Sequence, residues 1–533
     1  VAELIVGGYR IGTPSLWRDE AATISGSQRP LGAILRLIRH QDAVHGPYYL
    51  LMHVVIAVGG ISPAVLRLPS LIAMALTAGL TALLGRRLAW QTGLPAPAVT
   101  GLLAGLALVV VPLTTRYAQE ARPYALTSLF AVAASYFLVR ASAGRRWPWW
   151  AGYVVALTLT GLGNLFAVLL AVAHGISLIA ARMTERRRVA VGTAGGAGAG
   201  AGAGADAGGA GGPGAEATVG SVAEAPRPEP GSLGRWLIAC LITGVLLAPL
   251  AVLSVRQSGQ LNWVTRPDAS TVATLMRDFA GSELALPFAA LLAVLGCAAG
   301  PGIRRGRGMT LAAVTLPWLV VPPAALIAVS LADPLYVERY VVFCLPALSI
   351  LVAAGLVGLV TITARAASRR GFTAGRLRAL AVLPSALLAV IVIAVLIGPQ
   401  VAIRAQDSRA DDLRAVSEVL AAHERPGDAV LYLPWDTAVV GMAYPAPFER
   451  LRNVGLGVSP VASATLRGLP ASPSVVAARL RGVRRVWTVQ WTPSQPAVGP
   501  AGQGSTSLLT TTGFRLVRRW RVQSVYLSLY VSR

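Results

Sequence analysis

Lysine is absent from the 533 residues, so all 47 basic side chains are arginines, and only 23 carboxylates oppose them. Charged residues make up 13% of the chain against 54% hydrophobic, a balance that excludes a soluble globular protein of this length. Cysteine is nearly absent too: Cys240, Cys297 and Cys344 lie in apolar runs, which excludes a disulfide framework and a cysteine-zinc cluster. The net charge of +24 does not point to nucleic acid, because the arginines sit in short clusters between apolar runs rather than on one face with interleaved aromatics. Scarce charge and clustered arginine together describe a polytopic membrane protein.

Long apolar runs supply the rest of that description. They occur at about 66–85, 96–114, 121–139, 148–162, 165–181, 236–254, 284–300, 309–331, 340–362 and 379–399. The expected fold is a polytopic α-helical membrane protein of about 10–11 spans with a C-terminal α/β extracytoplasmic domain. Arginine clusters at 86–87, 140–146, 182–188, 304–307 and 365–378 alternate with arginine-poor loops, so the clustered loops are expected inside. That orientation places 1–65, the "RYAQEARPY" loop, 255–283, "DPLYVERY" and everything after 400 outside. Residues 1–12 are too short to cross a bilayer, so an eleventh span is expected upstream, with "LIVGGYRIG" as its remnant.

The domain map follows. Residues 1–65 form a first outer loop with juxtamembrane helices, the helix from 47 to 58 lying at the membrane surface. Spans occupy 66–183 and 235–399. Between them, 184–234 is an Ala/Gly/Pro cytoplasmic linker that buries too little apolar surface to order itself. Residues 400–533 alternate helix-period and strand-period segments, as in "DDLRAVSEVLAAHERPGDAVLYLP" and "SPSVVAARLRGVRRVWTVQW".

Charge beside a span is costly, about 2.5–3.5 kcal/mol at mid-membrane, so four clusters stand out. Asp19 and Glu20 in "SLWRDEAAT" are adjacent, and adjacent helical side chains point about 100° apart. The two therefore have different tasks: Asp19 as a general base facing a cleft, Glu20 on a metal, an acceptor or an arginine. The bland alternative is an acidic start to a surface helix. In "HQDAVHGPYYLLMHVV", His40, Asp42, His45 and His53 match no zinc spacing, and interfacial anchoring explains them as well as ligation does. Arg67, with Arg116 and Arg122 of "RYAQEARPYAL", can grip a lipid phosphate or snorkel at the interface, and Glu120 can orient an arginine or neutralise it. Glu338, Arg339 and Tyr340 of "DPLYVERYVVFCLP" open the span at 340, where the arginine and tyrosine can grip a phosphate or sugar, or mark the aromatic belt.

In order and spacing, "SLWRDEAAT", "HGPYYLLMHVV", "PAVLRLPSLIAMALTAGLTALLGRRL", "TTRYAQEARPYALTSLF" and "YVERYVVFCLPALSILVAAG" resemble the GT-C superfamily of membrane glycosyltransferases. The resemblance is to the branch of dolichyl-phosphate-mannose protein mannosyltransferases and the lipid A aminoarabinose transferase. It implies an inverting sugar transfer, with mannose one candidate, from a polyprenyl-phosphate donor to a cell-envelope lipid, glycan or protein on the outer face of a bacterial plasma membrane. It also implies Asp19 as base beside Glu20, with Arg67, Arg116, Arg122 and Arg339 on the donor phosphate. His45, Glu120, Tyr124, Glu338 and Tyr340 would support them. Metal ligands are not assigned, and a divalent cation stays open. Two departures touch the site: His45-Gly46-Pro47 stands where the family often has His-Pro-Pro, and Gly163-Asn164 where it often has an aromatic or histidine pair. A transporter or flippase of a lipid-linked sugar, and a non-catalytic membrane scaffold, are the alternatives.

Overall fold

A computed structural model describes residues 1–144, 146–199, 231–299, 309–369, 374–492 and 504–533. Every one of the ten apolar runs contains helix, and among the described residues seven helices are long and apolar enough to cross a membrane. The helices Pro97–Val110 and Pro112–Ala118 pass the same test only as a pair, and they meet at 70°, the geometry of a broken span or a re-entrant loop. Pro112 causes the break, because its ring denies Val111 a helical continuation. The second half of the expected 96–114 span thereby turns aside and carries the "RYAQEARPY" loop toward one end of the bundle. Two runs give shorter helices, Trp147–Gly163 of 17 residues and Leu286–Ala298 of 13.

Small residues let these helices approach closely. A Cβ added at Gly101 would stand 2.4 Å from the Ala82 carbonyl oxygen, and one at Gly355 would stand 2.0 Å from that of Leu292. Any side chain at either position would push two spans apart. The helix Leu169–Ala199 continues into the segment expected as linker, because Thr184 to Ala190 holds strong helix formers and no stop signal. The remaining linker residues, 200–230, and the arginine cluster at 304–307 lie outside the described residues.

The tail domain is a mixed five-stranded sheet. Arg452–Asn453, Ala429–Leu433 and Arg485–Trp491 run parallel, and the hairpin Phe514–Val522 and Val525–Ser532 joins antiparallel through Arg485–Trp491. The helix Leu413–His423 covers one face, where Leu413, Val416 and Leu420 pack on Trp487, Val489 and Leu527. The same apolar cluster continues through Val439 and Val440 to Leu16, Ala21 and Ile24 of the first loop, so the tail domain and that loop share one core.

Candidate active site

The helix Arg18–Ser27 sits between bundle and tail domain, and its first three residues each face a different way. Arg18 faces the tail: its Nε and Nη2 donate to the two Asp411 carboxylate oxygens at 2.8 and 2.7 Å, and its guanidinium stacks 4.0 Å over the Trp491 ring. Glu20 faces the bundle, where its oxygens accept from Arg67 Nε and Nη2 at 2.8 Å each and from the Ala121 amide at 2.9 Å. Asp19, between them, faces neither. A helix turn of 100° per residue makes this division unavoidable.

Asp19 Oδ2 lies 3.8 Å from Arg122 Nη2 and 3.7 Å from Arg339 Nη2. Both separations exceed a hydrogen bond, so this buried oxygen has two cations beside it and no hydrogen-bond donor. Burial alone would raise the Asp19 pKa, but the fields of Arg122, Arg339, His45 and Arg18 outweigh it and hold the carboxyl below its ordinary value. Arg122 donates weakly to the Asp19 carbonyl at 3.4 Å, and its Nε has no partner. The guanidinium of Arg339 stands 5.4 Å from the Trp263 ring centroid, and its Nε is also unpartnered. Two clustered arginines with spare donors around one carboxylate can bind a phosphate beside a base.

The loop carrying Arg122 is stapled in place. Ala121 donates its amide to Glu20, the Thr23 hydroxyl donates to the Ala121 carbonyl at 3.1 Å, and the Ser70 hydroxyl to the Arg122 carbonyl at 3.3 Å. His45 joins from the third side. Its Nδ1 is 2.6 Å from Asp42 Oδ1, while Tyr49 donates its hydroxyl to the other Asp42 oxygen. Burial works against the Asp42 charge, yet His45, Arg122 and Tyr49 together hold its pKa well below the usual carboxylate range.

Arg67 is a correction to its expected role at the donor phosphate. It is fully buried, and its five N–H donors go to Glu20 and to the Ile11, Pro14 and Ser15 carbonyls. No donor remains for a ligand, so Arg67 and Glu20 hold the loop to the bundle. The metal and acceptor options for Glu20 fall with it. Arg116 and Glu120 form a second cluster: Arg116 Nε is 4.0 Å from Glu120, whose buried oxygens have no hydrogen-bond partner. Burial raises the Glu120 pKa despite Arg116 and Arg409 nearby. Glu338 is exposed, and Tyr124 is buried against Tyr117 and Tyr340, with ring centroids 5.5 and 6.4 Å apart. Asn164, at the departure from the family pattern, caps the turn Leu165–Val168 through the Phe166 amide and donates to the Tyr340 carbonyl at 2.8 Å. His40 and His53 turn to backbone carbonyls, and among the described residues no three His, Cys, Asp or Glu side chains gather as a metal site.

Sequence reading singled out Asp42 beside His45 but missed Trp263, Arg409 and Asp411 as parts of this region. Those three carried no local signal, since Asp411 meets Arg18 across 393 positions.

Residues 45–197, less than half of the chain, match the family profile described as dolichyl-phosphate-mannose-protein mannosyltransferase. Over 99% of this chain, the backbone superposes on 96% of ArnT from Cupriavidus metallidurans bound to undecaprenyl phosphate, with a TM-score of 0.57 at 15% identity. The chain has the GT-C glycosyltransferase fold. The apo form of the same ArnT, the lipid A aminoarabinose transferase, gives a TM-score of 0.56 at 15% identity, with the same coverage of 99% and 96%. AglB from Archaeoglobus fulgidus, in complex with an inhibitory peptide and a dolichol-phosphate, matches at 12% identity over 91% of this chain and 69% of its own, with a TM-score of 0.46. No curated protein sequence matches significantly. Within the GT-C fold, Asp19 lies among Arg18, His45, Arg122 and Arg339, which come from four separate stretches of chain.

Proposed function

We propose that this chain is an inverting glycosyltransferase that moves a sugar from a polyprenyl-phosphate donor to an acceptor hydroxyl. The observation that carries the reading is Asp19 Oδ2, buried, without a hydrogen bond, and set 3.7–3.8 Å from the guanidinium groups of Arg339 and Arg122. In the reaction, the acceptor oxygen attacks the anomeric carbon from the face opposite the phosphate. The bond from that carbon to the phosphate oxygen breaks, the lipid phosphate leaves with the electron pair, and the hydroxyl proton passes to Asp19. Arg122 and Arg339 stabilise the charge on the departing phosphate.

The arrangement also tunes the base. The arginines keep Asp19 ionised in the free protein, and a phosphate bound to the same guanidiniums offsets their field and makes the carboxylate a stronger base. The alternation of arginine clusters supports a plasma-membrane protein with this site and the tail domain on the outer face. The family match over 45–197 supports mannose as the sugar, and the orientation supports an envelope lipid, glycan or protein as acceptor. Donor consumption across a panel of polyprenyl-phosphate sugars, measured in membranes containing the chain, tests the proposal. Polyprenyl-phosphate mannose is expected to be consumed fastest; consumption of no member of the panel contradicts the enzyme reading.

A further inference from the structure

The tail domain carries a cleft remote from Asp19. It opens where the helix Leu413–His423 stops short of the outermost strand, and it encloses about 310 Å³. Residue pairing shows how the strand Phe514–Val522 builds it. Arg518 lies opposite Leu529 and Trp520 opposite Leu527, so both side chains point to the helix-covered face, while the register shift between Leu516 and Arg518 bends the strand there. The indole of Trp520, half-buried in the cleft lining, stands 4.9 Å from the His423 ring and 5.4 Å from that of Trp487.

The charges are one-sided. Glu424 is taken by Arg450 at 2.8 Å, and Asp428 by Arg485 at 3.2 Å and the Trp487 indole at 2.8 Å. Among the described residues no carboxylate pairs with Arg425 or with Arg518, whose guanidinium lies 4.8 Å over the Trp520 ring. Edge strands do carry charge to prevent pairing. That role explains an arginine at the edge, yet not a second guanidinium without a carboxylate partner lining the same cleft. A flat indole receives the apolar face of a sugar ring, and free guanidiniums receive its carboxylate or phosphate. The cleft sits at the far end of an 11-residue helix whose first turn is tied by Arg414 to Gly12, Thr13 and Ser15, roughly 16 Å from that tie.

We infer that this cleft binds an anionic oligosaccharide, held by stacking on Trp520 and by ion pairs to Arg518 and Arg425. The site is independent of the transfer reaction, and its test needs no activity. Titration calorimetry on the full chain in nanodiscs, at 0.15 M salt, compares tetragalacturonate, a phosphorylated mannotetraose, neutral mannotetraose and vesicles containing phosphatidylglycerol. Saturable binding of either anionic oligosaccharide is expected, with the better of the two identifying the anion, and the neutral sugar at least tenfold weaker. Arg518→Ala, at an exposed position, and Trp520→Ala should each weaken binding at least tenfold, while Asp19→Asn should leave it unchanged. No saturable binding, binding undiminished in Arg518→Ala, or loss of vesicle binding alone in these variants would overturn the inference.

Discussion

Arg67 holds Glu20 by two parallel hydrogen bonds of 2.8 Å, with both side chains sealed from solvent. Breaking a buried pair of this kind by removing one partner costs about 3–5 kcal/mol, because the other charge is left uncompensated. Arg67→Met is therefore expected to lower thermal stability in detergent sharply. Glu20→Gln should do the same, and the combination Arg67→Met/Glu20→Leu should recover much of the loss. Stability assayed by thermal unfolding checks this; an Arg67→Met variant with wild-type stability but weakened donor binding would return Arg67 to the phosphate.

A second structural joint ties the tail domain to the helix that carries Asp19. Asp411 is fully buried and accepts from Arg18 and from the Ser524 hydroxyl at 2.5 Å. Asp411→Asn removes the charge from these hydrogen bonds, worth about 1.5–3 kcal/mol for a charged partner. Faster proteolytic separation of the tail from the bundle is the expected outcome, read by limited proteolysis and mass spectrometry.

Arg122 and Arg339 are expected to act on the phosphate. Replacing either by glutamine should lower transfer about 10²–10³-fold, the usual loss for one charge-stabilising donor. Kinetics with a panel of donor concentrations separates the two contributions: a rise in KM alone marks ground-state binding, and a fall in kcat marks stabilisation of the departing phosphate.

The pH profile carries a sign. The Asp19 carboxyl is held below its ordinary value by Arg122 and Arg339, so in the free protein it stays ionised to lower pH than an ordinary aspartate. The acid limb of kcat/KM, which reports the free enzyme, should lie below the usual carboxylate range. Donor phosphate offsets the arginine field, so the acid limb of kcat should lie higher. Coincident limbs, or the reverse order, would remove the proposed coupling between donor and base.

How much of this was legible depends on the range of the signal. Apolar runs and the helix–strand alternation after 400 are local, and adjacent residues on a helix must diverge, so the different directions of Asp19 and Glu20 could be read from two letters, whereas the break at Pro112 falls inside a run read as one span. The partner of Arg67 could not. Four arginines in apolar surroundings look alike in sequence, and which one is sealed depends on Glu20, 47 positions away, and on three carbonyls of the first loop. The same holds for Asp411, whose meaning arises only when the tail folds back onto Arg18.

The central claim is that Asp19 takes the acceptor proton. Its most direct test is the transfer rate of Asp19→Asn at saturating donor, with donor binding measured in parallel. Transfer reduced about 10²–10⁴-fold, with donor binding retained, is the predicted result. Transfer at the wild-type rate would contradict the account.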